Sequence, residues 1–513
     1  MNRIYDIIFV GAGISCTYTL VHLLNHFNIS VKNGNKLKIL IVDKDKEFWT
    51  GIPYGNRSGK DSLIITPLKD FIPKADSAFF FSWLKQTFTN ILKNDERDAS
   101  MLMNIWLQKN RNAIERNSWE DLYIPRYWFG LFIKERITGL LEEAVKKDLI
   151  EYDLLNATID DIQKNGSFYE VITDDPMYEI INKCKKVVLS IGSPPEKLFN
   201  NRVNNTDKRQ PPIFIENIYD KGLPAALKLI RGVLADSDTK RKNVLIIGSN
   251  ASSLELIYNL GDEILKEVYN LYVISSSGRF PGRIKEGISQ HVFIPEHLTS
   301  LKKLEDLTAE QLFASFLNDL KIIENCKVDI EYTYLPVNAL IAELVNKLNS
   351  TEQDKFVTTY GREIGKYYRR AGGEYSNKVT KLQKCRKMKC IQGEFISANA
   401  SGVQYKNITD ATIINLILPL TIVINCSGPG NLETESSTSA LIDNLIKSEL
   451  CKLNSSKRGF SVNSQFEADK NFYVMGPLLA GNVIGVHKIW HAESCNRIFN
   501  LTFDLANQLL KTA

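Results

Sequence analysis

The hydrophobic pattern at the start of the chain predicts a strand, a tight turn and a helix. The apolar run Ile7-Ile8-Phe9-Val10 leads into Gly11-Ala12-Gly13-Ile14-Ser15-Cys16, after which the apolar positions follow helical spacing. A second apolar run, Lys38-Ile39-Leu40-Ile41-Val42, predicts a strand that ends at Asp43. We therefore predict a β-α-β unit in this part of the chain.

The glycine turn of this unit has the residue types that a dinucleotide pyrophosphate needs. Gly11 permits a turn that a side chain would forbid, and Gly13 lets the backbone and the helix N-terminus approach the pyrophosphate. Asp43 is placed to accept hydrogen bonds from a ribose. Cys16 replaces the third glycine, but it is small enough for close packing of the helix on the sheet. The alternative is an ordinary β-α-β unit that binds nothing.

A similar pattern recurs near the middle of the chain. Val244-Leu245-Ile246-Ile247 leads into a glycine turn and a helix, and Leu271-Tyr272-Val273-Ile274 predicts the next strand. Asn250 stands where the middle glycine is expected. Asparagine tolerates left-handed backbone, although its side chain restricts the approach of a phosphate. We predict a second dinucleotide site whose turn contains Gly248, Ser249, Asn250 and Ser252.

No acid follows the second strand of this unit. The residues there are Ser275-Ser276-Ser277-Gly278-Arg279. An acid would repel a 2′-phosphate, whereas hydroxyl groups and a guanidinium group suit one. Ser277 and Arg279 therefore predict NADPH as the nicotinamide cofactor, with a solvated loop as the alternative.

Composition adds expectations about the class of protein. The 513 residues are 44% hydrophobic and 24% charged, and a formal net charge of +5 does not by itself indicate nucleic acid or an anionic membrane. Eight cysteines without regular spacing are typical of reduced thiols. We see no signal-peptide pattern or membrane span. We expect a soluble, cytoplasmic protein that binds neither nucleic acid nor membrane, with homo-oligomerisation left open.

Two longer segments have a distinctive composition. Residues 77–116 have a helical pattern rich in aromatic residues, which more often form a core than a cofactor site. Residues 362–389 contain ten basic residues and two acids, with tyrosines among them. Such a run can bind nucleic acid, but it more often forms a solvated face or an anion-binding lobe. We therefore predict an aromatic core in the first segment and no nucleic-acid site in the second.

Histidines and cysteines near the end of the chain suggest metal or redox chemistry, which we weigh and set aside. His487, His491 and Cys495 recur at helical spacing on a closing helix predicted to start near His487. One straight helix cannot wrap all three around one ion, so we predict no metal site. Cys385 and Cys390 have the C-x4-C spacing of flavin disulfide reductases, but they lie far from the first glycine turn, and we predict no redox disulfide.

These landmarks resemble those of a known family, the FAD-NAD(P)-binding flavoproteins related to the N-hydroxylating and Baeyer-Villiger monooxygenases. The two glycine turns and five further segments fall in family order across nearly the whole chain. The five segments are Gly51-Ile52-Pro53-Tyr54, Pro125-Arg126, Ser277-Gly278-Arg279, Cys426-Ser427-Gly428-Pro429-Gly430, and Met475-Gly476-Pro477 with His491-Ala492-Glu493-Ser494.

The resemblance implies an α/β fold with two Rossmann-like dinucleotide-binding domains and a helical, aromatic-rich insertion. A discontinuous FAD domain, residues 1–195 and 415–513, would surround an inserted NADPH-binding and helical substrate region, residues 196–414. The cofactor-binding residues implied in the FAD domain are Gly11, Gly13, Ser15 and Asp43 at the adenosine half, Gly476 and Pro477 towards the flavin, and Tyr54 and Arg126 on the matching segments.

We expect an FAD-dependent, NADPH-using oxidoreductase. The favoured reaction is monooxygenation, in which molecular oxygen supplies one atom to a nucleophilic nitrogen or sulfur of a small molecule, such as an amine or amino-acid derivative. The alternatives are a flavin reductase or dehydrogenase without oxygen insertion, and a non-catalytic flavin-binding sensor. His491, two residues before Glu493 on the predicted closing helix, is the candidate catalytic residue.

Overall fold

A computed structural model gives the fold of the chain. Ala492 and Glu493 of the closing segment lie outside the described residues. The structure describes residues 4–30, 36–95, 100–173, 182–199, 202–203, 211–236, 242–284, 293–326, 330–433, 439–491 and 494–511.

The described residues contain many short strands. The strands are β1 (Ile4–Val10), β2 (Leu37–Asp43), β3 (Ile150–Asn156), β4 (Ile159–Asn165), β5 (Phe168–Thr173), β6 (Asn182–Leu189), β7 (Ile213–Ile215), β8 (Asn243–Ile247), β9 (Asn270–Ser275), β10 (Gly282–Arg283), β11 (Arg370–Ala371), β12 (Met388–Gln392), β13 (Glu394–Asn399), β14 (Gly402–Lys406), β15 (Ile413–Ile417), β16 (Ile422–Asn425), β17 (Glu467–Asp469), β18 (Phe472–Val474), β19 (Asn482–Ile484) and β20 (His487–Ile489).

The helices occur mainly between these strands. They are α1 (Ile14–Ser30), α2 (Gly51–Tyr54), α3 (Leu68–Phe71), α4 (Lys74–Asp95), α5 (Met101–Glu115), α6 (Arg126–Lys146), α7 (Leu223–Asp236), α8 (Ala251–Asn259), α9 (Gly261–Glu267), α10 (Glu296–Ser300), α11 (Ala309–Asn325), α12 (Tyr334–Lys347), α13 (Ser350–Lys355), α14 (Gly361–Tyr367), α15 (Gly373–Lys384), α16 (Ala440–Lys447) and α17 (Cys495–Lys511). Among the described residues, no helix has both the length and the apolar character needed to cross a membrane.

Two sheets built around parallel strands form the centre of the fold, and in each the central strand, β1 or β8, lies between the next strand along the chain and a strand from much later in the sequence. In the first sheet the parallel strands run β18-β6-β1-β2-β3, and in the second they run β12-β9-β8-β16-β7. The central strands β1 and β8 are almost wholly apolar. This is expected because other elements cover both faces of a parallel sheet. The α/β fold with two dinucleotide-binding units is therefore confirmed.

The strand β16 (Ile422–Asn425) lies in the second sheet, where it pairs with β7 and β8. The sequence analysis assigned it to the returning part of the first domain, so this assignment is corrected. The physical reason is that a buried apolar strand fits either sheet equally well, and only the tertiary pairing selects one. The chain then returns to the first sheet with β17 and β18, which lie beside β6.

Two chain segments connect the two sheets, and they run side by side. The amide of Gly430 donates to the carbonyl of Pro195 over 2.9 Å. The side-chain amide of Asn425 donates to the carbonyl of Lys197 over 2.9 Å. Both crossings between the sheets are thus fixed to each other by hydrogen bonds.

The described aromatic residues of the segment 77–116 contribute to the core, as predicted. It spans most of α4 and α5, and both helices pack with α6. Phe80, Trp106 and Trp128 are fully or almost fully buried, and their rings meet others edge to face, whereas Phe79 is exposed. This packing fixes the N-terminus of α6, where Arg126 lies.

The helices α10–α14 form a separate helical lobe with its own apolar core. A π-helical stretch, Phe356–Tyr360, joins α13 to α14. Trp490 of the closing segment packs on this lobe: a Cβ atom built on Gly361 would lie 3.0 Å from the indole. The lobe inserted after the second glycine turn therefore contacts the closing segment of the first domain.

The predicted closing helix begins at Cys495, not near His487, so this part of the prediction is wrong. His487 lies on β20, which pairs with β19 in a hairpin turned at Gly485, a glycine with φ +55°. His491 follows in a loop. The i, i+4 spacing of the histidines is compatible with a helix, but the glycine and the pairing with β19 favour the hairpin. The two histidines and Cys495 therefore do not share a helix face.

Candidate functional site

The two glycine turns have the same hydrogen-bond construction. In the first, the amide of Gly11 donates to Val42 over 2.8 Å, and the amide of Ser190 donates to Val10 over 2.8 Å. Gly11 has φ +96°, and a Cβ atom there would lie 2.5 Å from the carbonyl oxygen of Ser190. The turn thus requires glycine both for its backbone conformation and for its contact with Ser190, the residue that follows β6.

The second turn repeats this geometry. The amide of Gly248 donates to Ile274 over 2.7 Å, and the amide of Cys426 donates to Ile247 over 2.7 Å. Gly248 has φ +103°, and a Cβ atom there would lie 2.2 Å from the carbonyl oxygen of Cys426. Each turn therefore connects the carboxyl end of a central strand to the N-terminus of the following helix. Folds of this kind bind dinucleotides at that position.

Asp43 is oriented by the first turn itself. Its carboxylate accepts hydrogen bonds from the amides of Ala12 (2.6 Å) and Asp45 (2.8 Å). Burial raises the pKa of this carboxyl group, although the two amides act in the opposite direction. A carboxylate has lone pairs beyond these two bonds. The remaining acceptor lone pairs of the Asp43 carboxylate therefore fit the hydroxyl groups of a ribose.

The segment before Tyr54 lies directly on the first glycine turn. The amide of Trp49 donates to Ala12 over 2.7 Å, and a Cβ atom on Gly13 would lie 3.5 Å from the Cα atom of Gly51. Gly13 therefore faces another glycine, so two stretches of backbone approach each other without side chains between them. The approach of a pyrophosphate to Gly13 stays a prediction, and the sequence analysis did not foresee that Gly51 packs against this glycine.

Ser15 and Gly476 lie next to each other although they are far apart in the chain. A Cβ atom on Gly476 would be 2.5 Å from Oγ of Ser15. Pro477 is buried and begins a short 3-10 helix. The segment after β18 is thus brought to the first turn of α1, as a domain built from both ends of the chain requires. Whether these residues hold FAD stays a prediction.

Tyr54 packs in an aromatic cluster with Phe71 and Phe129. Its ring meets Phe71 and Phe129 at centroid distances of 5.8 and 5.1 Å. Burial, more than the nearby Cys495 thiol, raises the pKa of its hydroxyl group. Gly130 of α6 permits this packing, because a Cβ atom there would lie 1.9 Å from the carbonyl oxygen of Tyr54. The sequence analysis did not identify Gly130.

Arg126 forms a buried ion pair that joins the two dinucleotide units. Its guanidinium group binds both carboxylate oxygens of Glu255, and the bond from Nη2 to Oε2 is 2.6 Å. Tyr219 donates to the same carboxylate. Since α6 carries Arg126 and α8 carries Glu255, the pair connects the first domain to the helix of the second glycine turn. The predicted role of Arg126 as a direct cofactor ligand stays a prediction.

Neither Glu255 nor Tyr219 was identified by the sequence analysis. The signal for Glu255 is a charged residue inside the apolar run Leu254-Glu255-Leu256-Ile257, because a charge at such a position needs a buried partner. Nothing in the sequence indicates Tyr219. The partner of each can be found only from the tertiary structure.

The serines of the second unit organise the loop that carries Arg279. Ser249 donates to the carbonyl of Arg279 over 2.8 Å, and its Oγ lies 2.9 Å from Oγ of Ser275. Ser277 also donates to that carbonyl over 2.9 Å. The guanidinium group of Arg279 lies 5.9 Å from the ring centroid of Tyr367. The hydroxyl groups thus fix the loop backbone, while the cation of Arg279 lies on the helical lobe.

Asn250 does not need left-handed backbone. Its φ is −97°, which any residue adopts, and it precedes α8 without capping it through its side chain. Ser252 lies in the first turn of α8 and is half-buried. Nη1 of Arg369 donates to Oδ1 of Asn250 over 2.7 Å. Part of the basic segment is therefore attached to the second glycine turn, and Arg369 was not singled out from the sequence.

His491 lies where basic residues from three segments converge. Nη1 of Arg497 donates to the His491 carbonyl over 2.5 Å. Burial lowers the pKa of His491 to about 4, and Arg497, Arg458 and Arg369 reinforce this direction. The imidazole is therefore neutral near pH 7. Because Arg369 also binds Asn250, the closing segment of the first domain lies near the second glycine turn.

All eight cysteines lie in the described part of the chain and are free thiols. Cys385 follows α15 and Cys390 lies on β12. Within the described ranges, no group of three or more metal-ligating side chains is brought together.

Comparison with known proteins agrees with this geometry. A family model described as FAD-NAD(P)-binding matches residues 8–194. An uncharacterized protein of Mycobacterium tuberculosis is 30% identical over 515 residues, which are 99% of this chain and 95% of that protein. Both turns and the closing segment thus lie within the matched length.

Two solved structures share the fold over almost the whole chain. Ornithine hydroxylase PvdA from Pseudomonas aeruginosa has a TM-score of 0.55 at 13% identity and 99% coverage of both chains. The cadaverine monooxygenase DfoA from Erwinia amylovora, bound to FAD, has a TM-score of 0.56 at 11% identity, covering 99% of this chain and 95% of that one. At this identity the likeness concerns the fold. The family match and the full-length relative at 30% identity show that the chain belongs to the FAD-NAD(P)-binding family of flavin oxidoreductases, whose cofactors are FAD and NAD(P).

Proposed function

We propose that the protein is an NADPH-dependent FAD monooxygenase that hydroxylates a nucleophilic nitrogen or sulfur of a small molecule. FAD bound at the first glycine turn supplies the redox chemistry, and NADPH bound at the second supplies the hydride. The chain itself positions the two cofactors and keeps water from the reacting atoms. An amine is the favoured substrate, since the two fold neighbours are named for ornithine and cadaverine.

The observation that carries this proposal is the cover over the segment Trp490-His491. The helical lobe packs on Trp490, and the neighbouring His491 is half-buried, which lowers the pKa of its imidazole and keeps the ring neutral near pH 7. Oxygen insertion requires a site from which water and stray protons are excluded, whereas a simple flavin reductase has no such need. A partly covered, neutral segment beside the second glycine turn therefore favours monooxygenation.

Product analysis of the purified holoprotein tests this function. NADPH oxidation is followed against a panel of small amines and thioethers, and hydroxylated product and hydrogen peroxide are measured in the same samples. We expect at least one amine to yield product in proportion to the NADPH consumed. If NADPH oxidation yields peroxide alone with every compound, the reductase alternative is favoured. If no NADPH is consumed, the sensor alternative remains.

The Arg279→Ala variant tests the choice of nicotinamide cofactor. If its guanidinium group binds the 2′-phosphate, its loss removes a charge-assisted hydrogen bond that is worth about tenfold or more in affinity. The KM for NADPH should rise by about this factor, while the KM for NADH changes little. Arg231→Ala on the exposed side of α7 is the matched control. Equal effects of Arg279→Ala on both cofactors would contradict a phosphate contact.

The His491→Ala variant tests the role of the closing segment. Removal of the ring opens a path for water, so we expect NADPH oxidation to continue while peroxide replaces hydroxylated product. Because the pKa of His491 is about 4, the loss should be the same at about pH 6 and about pH 8. His297→Ala, at an exposed site on α10, is the control. A loss confined to one side of pH 7 would instead indicate that the imidazole titrates during turnover.

A further inference from the structure

The strand β15 lies at the edge of a three-stranded antiparallel sheet formed with β13 and β14. No other strand in the described part of the chain pairs with it. Its side chains alternate between half-buried and exposed, and the exposed fractions are 60% for Ile413 and 89% for Ile417. Residues 411–421 contain no charged side chain. The strand thus lacks the lysines, prolines and bulges by which edge strands usually avoid pairing.

The register identifies which backbone groups of β15 point outward. Asn407 donates to the carbonyl of Thr412 over 2.8 Å, and Leu418 donates to that of Ser401 over 2.8 Å. In an antiparallel pair the bonded positions alternate, so Ile414 and Leu416 also bond to β14. The N–H and C=O groups of the other three strand residues, Ile413, Asn415 and Ile417, therefore point to the open edge.

The sequence of this edge is self-complementary about Asn415. In Ile413-Ile414-Asn415-Leu416-Ile417, each position two residues from the centre is isoleucine, and each adjacent position is a branched apolar residue. A two-fold axis through Asn415 places Ile413 of one chain opposite Ile417 of another. The three outward-pointing residues then all lie at bonded positions and form about six main-chain hydrogen bonds. Such an isologous arrangement is what a symmetric dimer requires.

We propose that β15 binds β15 of a second copy of the chain, so that two three-stranded sheets join into one antiparallel six-stranded sheet. The partner is a second copy because the edge matches itself in register, in hydrogen-bonding positions and in apolar side chains. The pair buries less surface than a standard interface, so the dimer is dependent on protein concentration. This inference is independent of the proposed enzyme activity.

Charge placed on the edge tests the register directly. We expect the FAD-loaded protein to approach twice the monomer mass in sedimentation as its concentration rises. The Ile413→Lys/Ile417→Lys variant and the Ile413→Glu/Ile417→Glu variant should each be monomeric, because like charges then lie opposite each other. An equimolar mixture of the two should restore the dimer. Ile408→Lys, at an exposed isoleucine outside the strand, should leave the dimer intact.

A symmetric cross-link provides a second measurement that needs no charged variant. Asn415 of the two copies would face each other at a hydrogen-bonded pair, with a Cα separation of about 5.5 Å, which suits a disulfide. Oxidised Asn415→Cys should therefore run as a covalent dimer well above the background from the exposed Cys326 and Cys385, and Ile408→Cys should not. A monomeric wild type, a dimer that survives both charged variants, or cross-linking no greater than background would overturn the proposal.

Discussion

Truncation of Glu255 to alanine is expected to lower the free energy of unfolding by about 3–5 kcal/mol. The carboxylate accepts two hydrogen bonds from Arg126 and one from Tyr219, and all three side chains are buried. Its removal leaves a guanidinium charge without a partner in the protein interior. Chemical denaturation of the FAD-loaded protein measures the change.

Two controls separate the buried charge from the loss of a side chain. The Arg126→Met/Glu255→Leu variant removes both charges and should recover most of the loss, because apolar groups of similar volume often replace a buried ion pair without cost. Glu115→Ala disrupts an ion pair with Arg111 on the exposed face of α5 and should have no measurable effect. If Glu255→Ala is as mild as Glu115→Ala, the pair does not join the two units energetically.

The Gly130→Ala variant should cost about 3 kcal/mol of stability and release FAD. The added methyl group would lie 1.9 Å from the carbonyl oxygen of Tyr54, and neither backbone can move freely because both lie against the aromatic cluster. Displacement of Tyr54 moves Gly51, which contacts the first glycine turn at Gly13. Thermal unfolding and the flavin content of the purified protein report the two effects.

Gly139→Ala is the matched control on the same helix. A Cβ atom at Gly139 meets no atom within 4 Å, so alanine should be neutral or stabilise α6 by about 0.5–1 kcal/mol. Equal stability and flavin content of the two variants would mean that the backbone of residues 51–55 adapts to the methyl group. Full flavin occupancy in a destabilised Gly130→Ala variant would mean that the turn is not needed for FAD.

The glycine turns could be predicted because their signals are local. Gly11 and Gly248 follow buried strands and precede helices, and a turn of this kind is determined by residues within a few positions of each other. These predictions needed only the period of the apolar residues and the known conformational freedom of glycine.

The closing helix shows where a local pattern was insufficient. The spacing of His487 and His491 fits a helix, but β20 is formed by pairing with β19, and the turn at Gly485 makes this possible. A short segment has no strong intrinsic preference, so its partner strand determines its conformation. The strand conformation of β16 was predicted correctly, but its sheet was not, because only its pairing with β7 and β8 selects the sheet.

The sequence by itself determined the two dinucleotide units, their order and the absence of an acid beside Arg279, because each depends on neighbouring residues. Only the tertiary structure decided what joins the units. The Arg126–Glu255 pair, the approach of Gly130 to Tyr54, and the contact between Arg369 and Asn250 each link residues more than 70 positions apart. Such contacts depend on how sheets and helices pack, and the pairing of one residue with another at that separation leaves no periodic trace in a single chain.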